Sequence, residues 1–578
     1  MPKKSEKNMN FALRPEFTAL AGSHAEVLVI GAGINGISVT RDLSLQGVRV
    51  TLVDRNDVMT GASAASSHMI HGGIRYLENG EFRLVRESVQ ERNDLLRTAP
   101  HVVKPLRTTV PMFTYFSGAL QAPLRMINHG KGKAKRTERG AALIAVGLMI
   151  YESFSRINSV TPRFTFSGKR RIAAELPSLH KGVKCAATYF DASVHEPERL
   201  ALDLIADATA TGNVQLVTYA EAVGTFDGGV LLRDGLTGAE IQLTADIVIN
   251  ASGPLTDLTN GALGRPTEFM GGTKGSHIVV DHPQLHAELA GRELFFENSD
   301  GRIVLIYPVK GRVLIGTTDI FADPREAVVC TEEEVDYFFD LVRHIMPGIA
   351  LDRSQIVFRF SGIRPLPKQD VAAPGFVSRD YRIDESTLPG NESTTLFSVV
   401  GGKWTTFRAL GEHVSDLVLG VLGRKRQVST KSLTIGGGKN FPQTATQREE
   451  WISQFSARVP SQRVEALLDR YGTRAAEVIR ALEIYGDDAL ASLPGFSAQE
   501  LAYLVRAERA VRLDDVLLRR TTLAFAGELS AARVREIAGV VGEELGWNAE
   551  RREIEIDRAW DILRTWHGVD EPTSDVVF

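Results

Sequence analysis

Cysteine is almost missing from this chain: Cys185 and Cys330 are the two thiols among 578 residues. Two cysteines so far apart exclude a disulfide framework and a zinc-ribbon spacing, and they fit a reducing compartment. The 13 histidines also lack ligand spacing, so no metal site is expected. A strong charge of either sign is absent: the formal net charge of -4 gives no ground for nucleic-acid binding. No apolar run reaches the roughly 20 residues of a spanning helix. The first residues carry charge without a following apolar core, so no signal peptide is expected and the cytoplasm is the inferred compartment.

Residues 141–151 come nearest to a membrane segment, and Lys131, Lys133, Lys135, Arg136 and Arg139 precede them. That pairing suits either a buried helix with a solvated approach or the surface of an anionic membrane.

What is present is an ordinary globular composition, 43% apolar and 24% charged, long enough for two or three folded units. Residues 1–24 are polar and aperiodic and read as a mobile tail. The apolar run 26–30 predicts a buried parallel strand, 36–46 a helix and 48–53 a second strand, which together make a βαβ unit. Residues 81–97 have helical spacing, and strands are expected at 245–250, 276–280, 302–307, 313–315 and 396–400. Beyond the glycines at 436–438, which read as a linker, apolar residues recur at helical spacing, predicting an all-helical domain over 446–565 and a tail at 566–578. No internal repeat or low-complexity tract is found.

The strand at 26–30 runs into Gly31-Ala32-Gly33-Ile34-Asn35-Gly36, and Asp54 ends the next strand about 20 residues later. In that context Gly31 permits a tight turn, Gly33 lets backbone approach a pyrophosphate, and Gly36 lets helix pack on strand. Unpaired N–H groups at the helix start favour the phosphates, and Asp54 can accept from ribose hydroxyls. Ala62-Ser63-Ala64-Ala65-Ser66-Ser67 supplies small residues and hydroxyls soon afterwards. Two more strand ends, Asn250-Ala251-Ser252-Gly253 and Gly401-Gly402-Lys403-Trp404-Thr405, bring further small residues. Several close backbone approaches suit a cofactor as long as FAD. A helix starting near Thr405 would turn its positive end toward a flavin.

Three segments resemble FAD-dependent glycerol-3-phosphate dehydrogenases of the aerobic, respiratory type. Ser66-Ser67-His68-Met69-Ile70-His71-Gly72-Gly73-Ile74-Arg75-Tyr76-Leu77 looks like the segment after that family's FAD fingerprint. Phe360-Ser361-Gly362-Ile363-Arg364-Pro365-Leu366 and Ser378-Arg379-Asp380-Tyr381 resemble its substrate signatures, and Gly401-Gly402-Lys403-Trp404-Thr405-Thr406 its C-terminal flavin motif. Lys274-Gly275-Ser276-His277 and Gly316-Thr317-Thr318-Asp319 match in order, and the helical tail is similar to the family's last domain. The chain departs from the family at His68, Trp404 and Phe407, where members often carry lysine, leucine and tyrosine.

The resemblance implies an α/β fold in which a Rossmann-like FAD-binding domain of the D-amino-acid-oxidase/glutathione-reductase type is interleaved with a β-rich substrate domain. These would occupy 25–435, the substrate part mainly 100–190 and 265–380, followed by the helical C-terminal domain. It implies oxidation of sn-glycerol 3-phosphate to dihydroxyacetone phosphate by hydride transfer to FAD, with electrons passed to a membrane quinone. Arg75, Tyr76, Arg364 and Arg379 would bind substrate, and His277, Arg75 and Lys403 would carry catalysis, His277 as base. Arg55, Asn35, Ser63, Ser66, Ser67, His71, Gly72, Gly73, Gly362, Gly402, Lys403 and Thr405 join Gly31, Gly33, Gly36, Asp54, Ala251 and Gly253 as expected cofactor contacts. The expected location is cytoplasmic, peripheral on the inner face of the cytoplasmic membrane, and a homodimer is admitted. A glycerol-3-phosphate oxidase using oxygen, an amine or amino-acid oxidase and a flavin-binding regulatory protein stay open as alternatives.

Overall fold

A computed structural model describes residues 14–79, 81–115, 141–155, 160–298, 302–368 and 380–571, apart from the side chains of Arg75, Glu78, Asn79 and Ser155. Two sheets and a helical domain organise the described chain. The first sheet runs in the order Arg382–Leu388, Asn391–Val400, Glu240–Asn250, His24–Ile30, Val50–Val53, Val214–Val217. Along this path all neighbours from Asn391–Val400 onward pair in parallel and Arg382–Leu388 closes the edge antiparallel, while Gly229–Asp234 joins Glu240–Asn250 antiparallel and carries Ala220–Phe226. Parallel strands must be covered on both faces, which explains the unbroken Val27, Leu28, Val29, Ile30 run, all buried. The helix Ile34–Leu45 is buried almost all round, so its sequence carries little amphipathic contrast. It lies so close to the helix Phe407–Val421 that a Cβ on Gly411 would stand 2.3 Å from the Ser38 hydroxyl.

The second sheet has ten strands and is mainly antiparallel, running from Ile320–Phe321 through Thr273–Val280, Arg312–Gly316, Ile303–Val309, Arg292–Glu297, Val103–Met112 and Cys185–Val194 to Met69–Ile70. Ile356–Arg364 pairs with Thr273–Val280, setting Gly362 opposite Gly275 and Phe360 opposite His277. The C-terminal helices, from Ala445–Ser453 to Ala549–His567, pack on this sheet. One apolar core joins Val279, Tyr307 and Phe358 of the sheet to Leu467, Ile537 and Trp560 of the helices.

Three expectations change. The mobile tail does not extend to residue 24: Phe17 and Leu20, on and just after the turn Pro15–Thr18, are fully buried in a core with Val230, Leu232 and Leu243, and Arg14 pairs with Asp234 at 3.1 Å. Two large apolar side chains three positions apart are enough to seat a short turn; residues 1–13 lie outside the described part. The glycines at 436–438 form a packed turn rather than a loose linker, since Cβ atoms on Gly437 and Gly438 would stand 2.1 Å and 2.4 Å from the carbonyl oxygens of Tyr471 and Thr98. The run 141–151 lies in the helix Ala141–Ser155, with Leu148 and Tyr151 buried but Val146 and Met149 more than half exposed. The helix is therefore neither fully buried nor long enough to span, and no helix among the described residues is long and apolar enough to cross a membrane. The basic stretch 125–139 lies outside the described residues.

Candidate active site

The C-terminal ends of three parallel strands, at Ile30, Asn250 and Val400, meet at one edge of the first sheet. Chains leaving them diverge, and ligands of open α/β sheets bind in such a crevice. A cavity of about 280 Å³ opens there, lined by Gly31, Gly33, Asn35, Asp54, Arg55, Ser63, Ala251, Gly253, Gly402 and Lys403.

The backbone explains the residue choice. Gly31 has φ +111°, and a Cβ there would stand 2.6 Å from the Ala251 carbonyl oxygen. A Cβ on Gly36 would sit 1.9 Å from the Gly31 carbonyl oxygen, so the turn closes only around glycine. Gly36 therefore shapes the cleft without lining it. The Ser63 hydroxyl accepts from the Ile34 N–H at 3.0 Å, tying the small-residue segment to the helix start. Asp54 accepts from the N–H groups of Ala32 (2.7 Å) and Asn56 (2.9 Å). Burial pushes its carboxyl up to about 6, with the Asn56 and Ala32 N–H groups pulling the other way. Opposite, Gly402 has φ +103°, and a Cβ on it would meet the Asn35 amide nitrogen at 2.6 Å. The Asn35 Oδ1 is buried with no hydrogen-bond partner, an acceptor aimed into a site that a polar ligand would complete. An open cleft, glycine-narrowed walls, an orphan acceptor and an acid at the second strand end fit a dinucleotide.

The segment after the cleft is pinned from several sides. Trp404 donates its indole N–H to the Ser63 carbonyl at 3.0 Å, and Thr405 its hydroxyl to the His71 carbonyl at 2.9 Å. The short turn Trp404–Thr406 leads into the helix Phe407–Val421, whose start therefore adjoins this segment. The Gly72 N–H is held by the Tyr151 hydroxyl (3.0 Å) and Asp191 (3.1 Å), both also bound by buried Arg92. Gly73 closes against the Tyr76 ring. Sequence reasoning missed Arg92, Tyr151 and Asp191, which come from three remote segments with no local motif.

At the second sheet, Gly275, His277 and Gly316 lie side by side. The His277 Nε2 is 2.8 Å from the Ser67 hydroxyl, its ring stacks on Phe360 at 4.7 Å between centroids, and its Nδ1 has no hydrogen-bond partner. Burial, then the Arg364 charge, then His68 hold its pKa well below the usual value, so the imidazole is neutral near pH 7. Glycine at 316 makes this possible: a Cβ there would stand 2.2 Å from the imidazole. The Arg364 guanidinium covers Gly275 and donates to Asp319 (3.1 Å), Thr317 Oγ1 (2.9 Å) and the Thr318 carbonyl (2.8 Å). Gly362 faces Ala65 and Ser66 accepts from the His68 N–H, so both support the segment from outside the cleft lining. His68, buried and pushed down to about 3, stacks on Phe525 of the helical domain. Lys403 donates to Ser88 at 2.6 Å, with its ammonium 4.7 Å from the centre of the Tyr76 ring. Pro365, next to Arg364, lines the same cavity as Lys403, whereas Arg364 and His277 are not among its lining residues. Arg75 lies on the turn Ile74–Asn79 with its side chain outside the described part, and Arg379 lies outside the described residues. No group of His, Cys, Asp and Glu among the described residues is arranged to hold a metal ion.

This fold and cleft define a dinucleotide-binding oxidoreductase of the FAD class. Residues 26–417 match the FAD dependent oxidoreductase family and residues 428–552 the C-terminal domain of alpha-glycerophosphate oxidase. The chain is 31% identical to a glycerol-3-phosphate dehydrogenase of Synechocystis sp., over 95% of this chain and 98% of that protein. It is 30% identical to a D-erythritol 1-phosphate dehydrogenase of Brucella abortus, over 86% and 94% of the two chains. A crystal structure of a glycerol-3-phosphate dehydrogenase from Bacillus halodurans, complexed with FAD, superposes with a TM-score of 0.73 over 97% of this chain and 98% of that one, at 22% identity, and shares the fold. The chain belongs to the FAD-dependent glycerol-3-phosphate dehydrogenase family.

Proposed function

We propose that the protein oxidises sn-glycerol 3-phosphate to dihydroxyacetone phosphate, with FAD as hydride acceptor and a membrane quinone taking the electrons onward. What supports this reading is buried, neutral His277, in contact with the Ser67 hydroxyl and close enough to Arg364 to feel its charge, together with relatives that act on polyol phosphates by name.

The substrate phosphate carries about two negative charges and needs charge-assisted donors in a dry pocket. Arg364 supplies a planar fork held in place by Asp319 and the Thr317–Thr318 turn, and Arg75 and Arg379 are its proposed companions. With Nε2–H donated to the Ser67 hydroxyl, the Nδ1 lone pair of His277 takes the C2 hydroxyl proton. Lys403 and Tyr76 orient the substrate oxygen. Bound FAD supplies the two-electron acceptor; the protein contributes orientation, charge and exclusion of water. The β-rich part, 100–190 and 265–380, serves the substrate. The exposed Val146 and Met149 on the helix Ala141–Ser155 support contact with a membrane surface, where the quinone resides.

The test is anaerobic absorbance of the purified protein titrated with glycerol 3-phosphate, in parallel with D-erythritol 1-phosphate, followed by re-exposure to oxygen or a soluble quinone. Bleaching by glycerol 3-phosphate, with recovery by quinone alone, is the expected result. Rapid recovery in oxygen makes the protein an oxidase, preferential bleaching by the four-carbon phosphate changes the substrate, and no bleaching by either overturns the reading.

A further inference from the structure

The loop that follows Asp54 is held by the helical domain, through a buried charge cluster that the reaction does not use. Asp57 is fully buried, three residues beyond Asp54 and adjacent to Asn56, which lines the cofactor cleft. Its carboxylate accepts from the Arg519 Nε (2.6 Å) and from both terminal nitrogens of Arg520 (2.6 Å and 2.9 Å). Both arginines stand on one π-helical turn, Val516–Arg520, a deviation from regular helix that often marks a functional constraint.

A second tie runs in parallel. Tyr219 donates its hydroxyl to Asp515 at 2.6 Å, and Asp515 also accepts from Arg519 at 2.6 Å. On the cleft side, the Tyr219 N–H binds the Asn56 carbonyl (3.0 Å) and the Ala220 N–H binds the Asp54 carbonyl (2.7 Å). Ala220 itself lines the cavity. The backbone that carries the cleft acid is thus gripped on both flanks by side chains of the C-terminal domain. Bulk packing alone does not require buried ions there. Apolar residues would join the domains at no desolvation cost, whereas paired buried charges specify one geometry.

We propose that Asp57, Arg519 and Arg520 are positioning residues for the cofactor: docking of the helical domain sets the 54–57 turn, and with it the affinity for FAD. Linkage is reciprocal, so bound FAD must equally strengthen the docking of Val516–Arg520. The proposal rests on FAD occupying this cleft, which the flavin absorbance of the purified protein reports independently.

The experiment follows FAD release on dilution of the holoprotein, by the rise of free-flavin fluorescence, for wild type, Arg520→Lys and Arg448→Lys. Arg448 belongs to the same domain but pairs with Glu465 and Asp469. Arg520→Lys is expected to release FAD at least tenfold faster and Arg448→Lys at the wild-type rate, with the substrate KM at saturating FAD unchanged in both. Hydrogen exchange of wild type with and without FAD is the second arm, and slower exchange across Leu513–Arg520 with FAD is expected. A folded Arg520→Lys with wild-type release, equal acceleration in both variants, or FAD-independent exchange across that turn overturns the proposal. If Arg520→Lys does not fold, the exchange arm decides.

Discussion

The Asp319 carboxylate lies 3.1 Å from the Arg364 guanidinium, which also spans Thr317 and the Thr318 carbonyl and presses flat over Gly275. An arginine restrained on so many sides loses little freedom when an anion arrives. Hydrogen bonds to charged groups contribute about 1.5–3 kcal/mol each. Arg364→Ala is therefore expected to raise KM for glycerol 3-phosphate by roughly 10- to 100-fold while FAD stays bound. Steady-state kinetics beside the flavin spectrum checks both parts, and an unchanged KM removes the phosphate role.

The proposed base, His277, is neutral, because burial and the Arg364 charge keep it unprotonated across the physiological range. His277→Asn keeps a polar group near Ser67 but removes the basic nitrogen. Its kcat is expected to fall by about 10²- to 10⁴-fold, the usual contribution of a positioned general base. Near-wild-type turnover in that variant from pH 6 to 9 would exclude His277 as the proton acceptor.

If Asp54 holds the cofactor as proposed, binding is sensitive to pH. In the proposed site a ribose hydroxyl would donate to the ionised carboxylate, and burial raises this carboxyl to about 6. FAD affinity is then full above that value and falls as pH drops through it, by up to about tenfold per pH unit. Asp54→Asn is expected to bind FAD weakly with no such slope. Fluorescence titrations of the flavin-stripped protein at pH 5, 6 and 7.5 would reveal either pattern.

Glu293 tests the linkage in the second sheet. It is fully buried, accepts from Thr108 at 2.7 Å, leaves Oε1 without a hydrogen-bond partner, and is pushed by burial to about 8. The folded chain keeps this proton after the unfolded chain has released it, so stability declines from pH 4.5 to about 8. Glu293→Gln mimics the protonated acid, and its Tm advantage over wild type should widen across that window and then level off. A Tm difference independent of pH would contradict the assignment.

Much of this was legible in the chain itself, because the decisive signals are local. Gly31, Gly33, Gly36 and Asp54 sit within one βαβ unit, where a strand end, a tight turn and a helix start constrain each other over a few residues. The buried parallel strands betray themselves by unbroken apolar runs, and the C-terminal helices by their spacing. By contrast, the order of residues 14–24 has no local signal, because Phe17 and Leu20 find partners more than two hundred residues away, around Val230 and Leu243. The clamp of Arg92, Tyr151 and Asp191 on Gly72 left no trace in any window for the same reason.

The sequence by itself determined the dinucleotide cleft and the layout of a flavoprotein with a helical C-terminal domain, since turn geometry and hydrophobic periodicity act between near neighbours. Only the tertiary structure decided that His277 is neutral, that Arg364 is braced by Asp319, and that Asp57 is gripped by Arg519 and Arg520. Protonation and positioning depend on desolvation and charge at distances of a few ångströms. Those distances exist only after strands and helices remote in sequence have packed together.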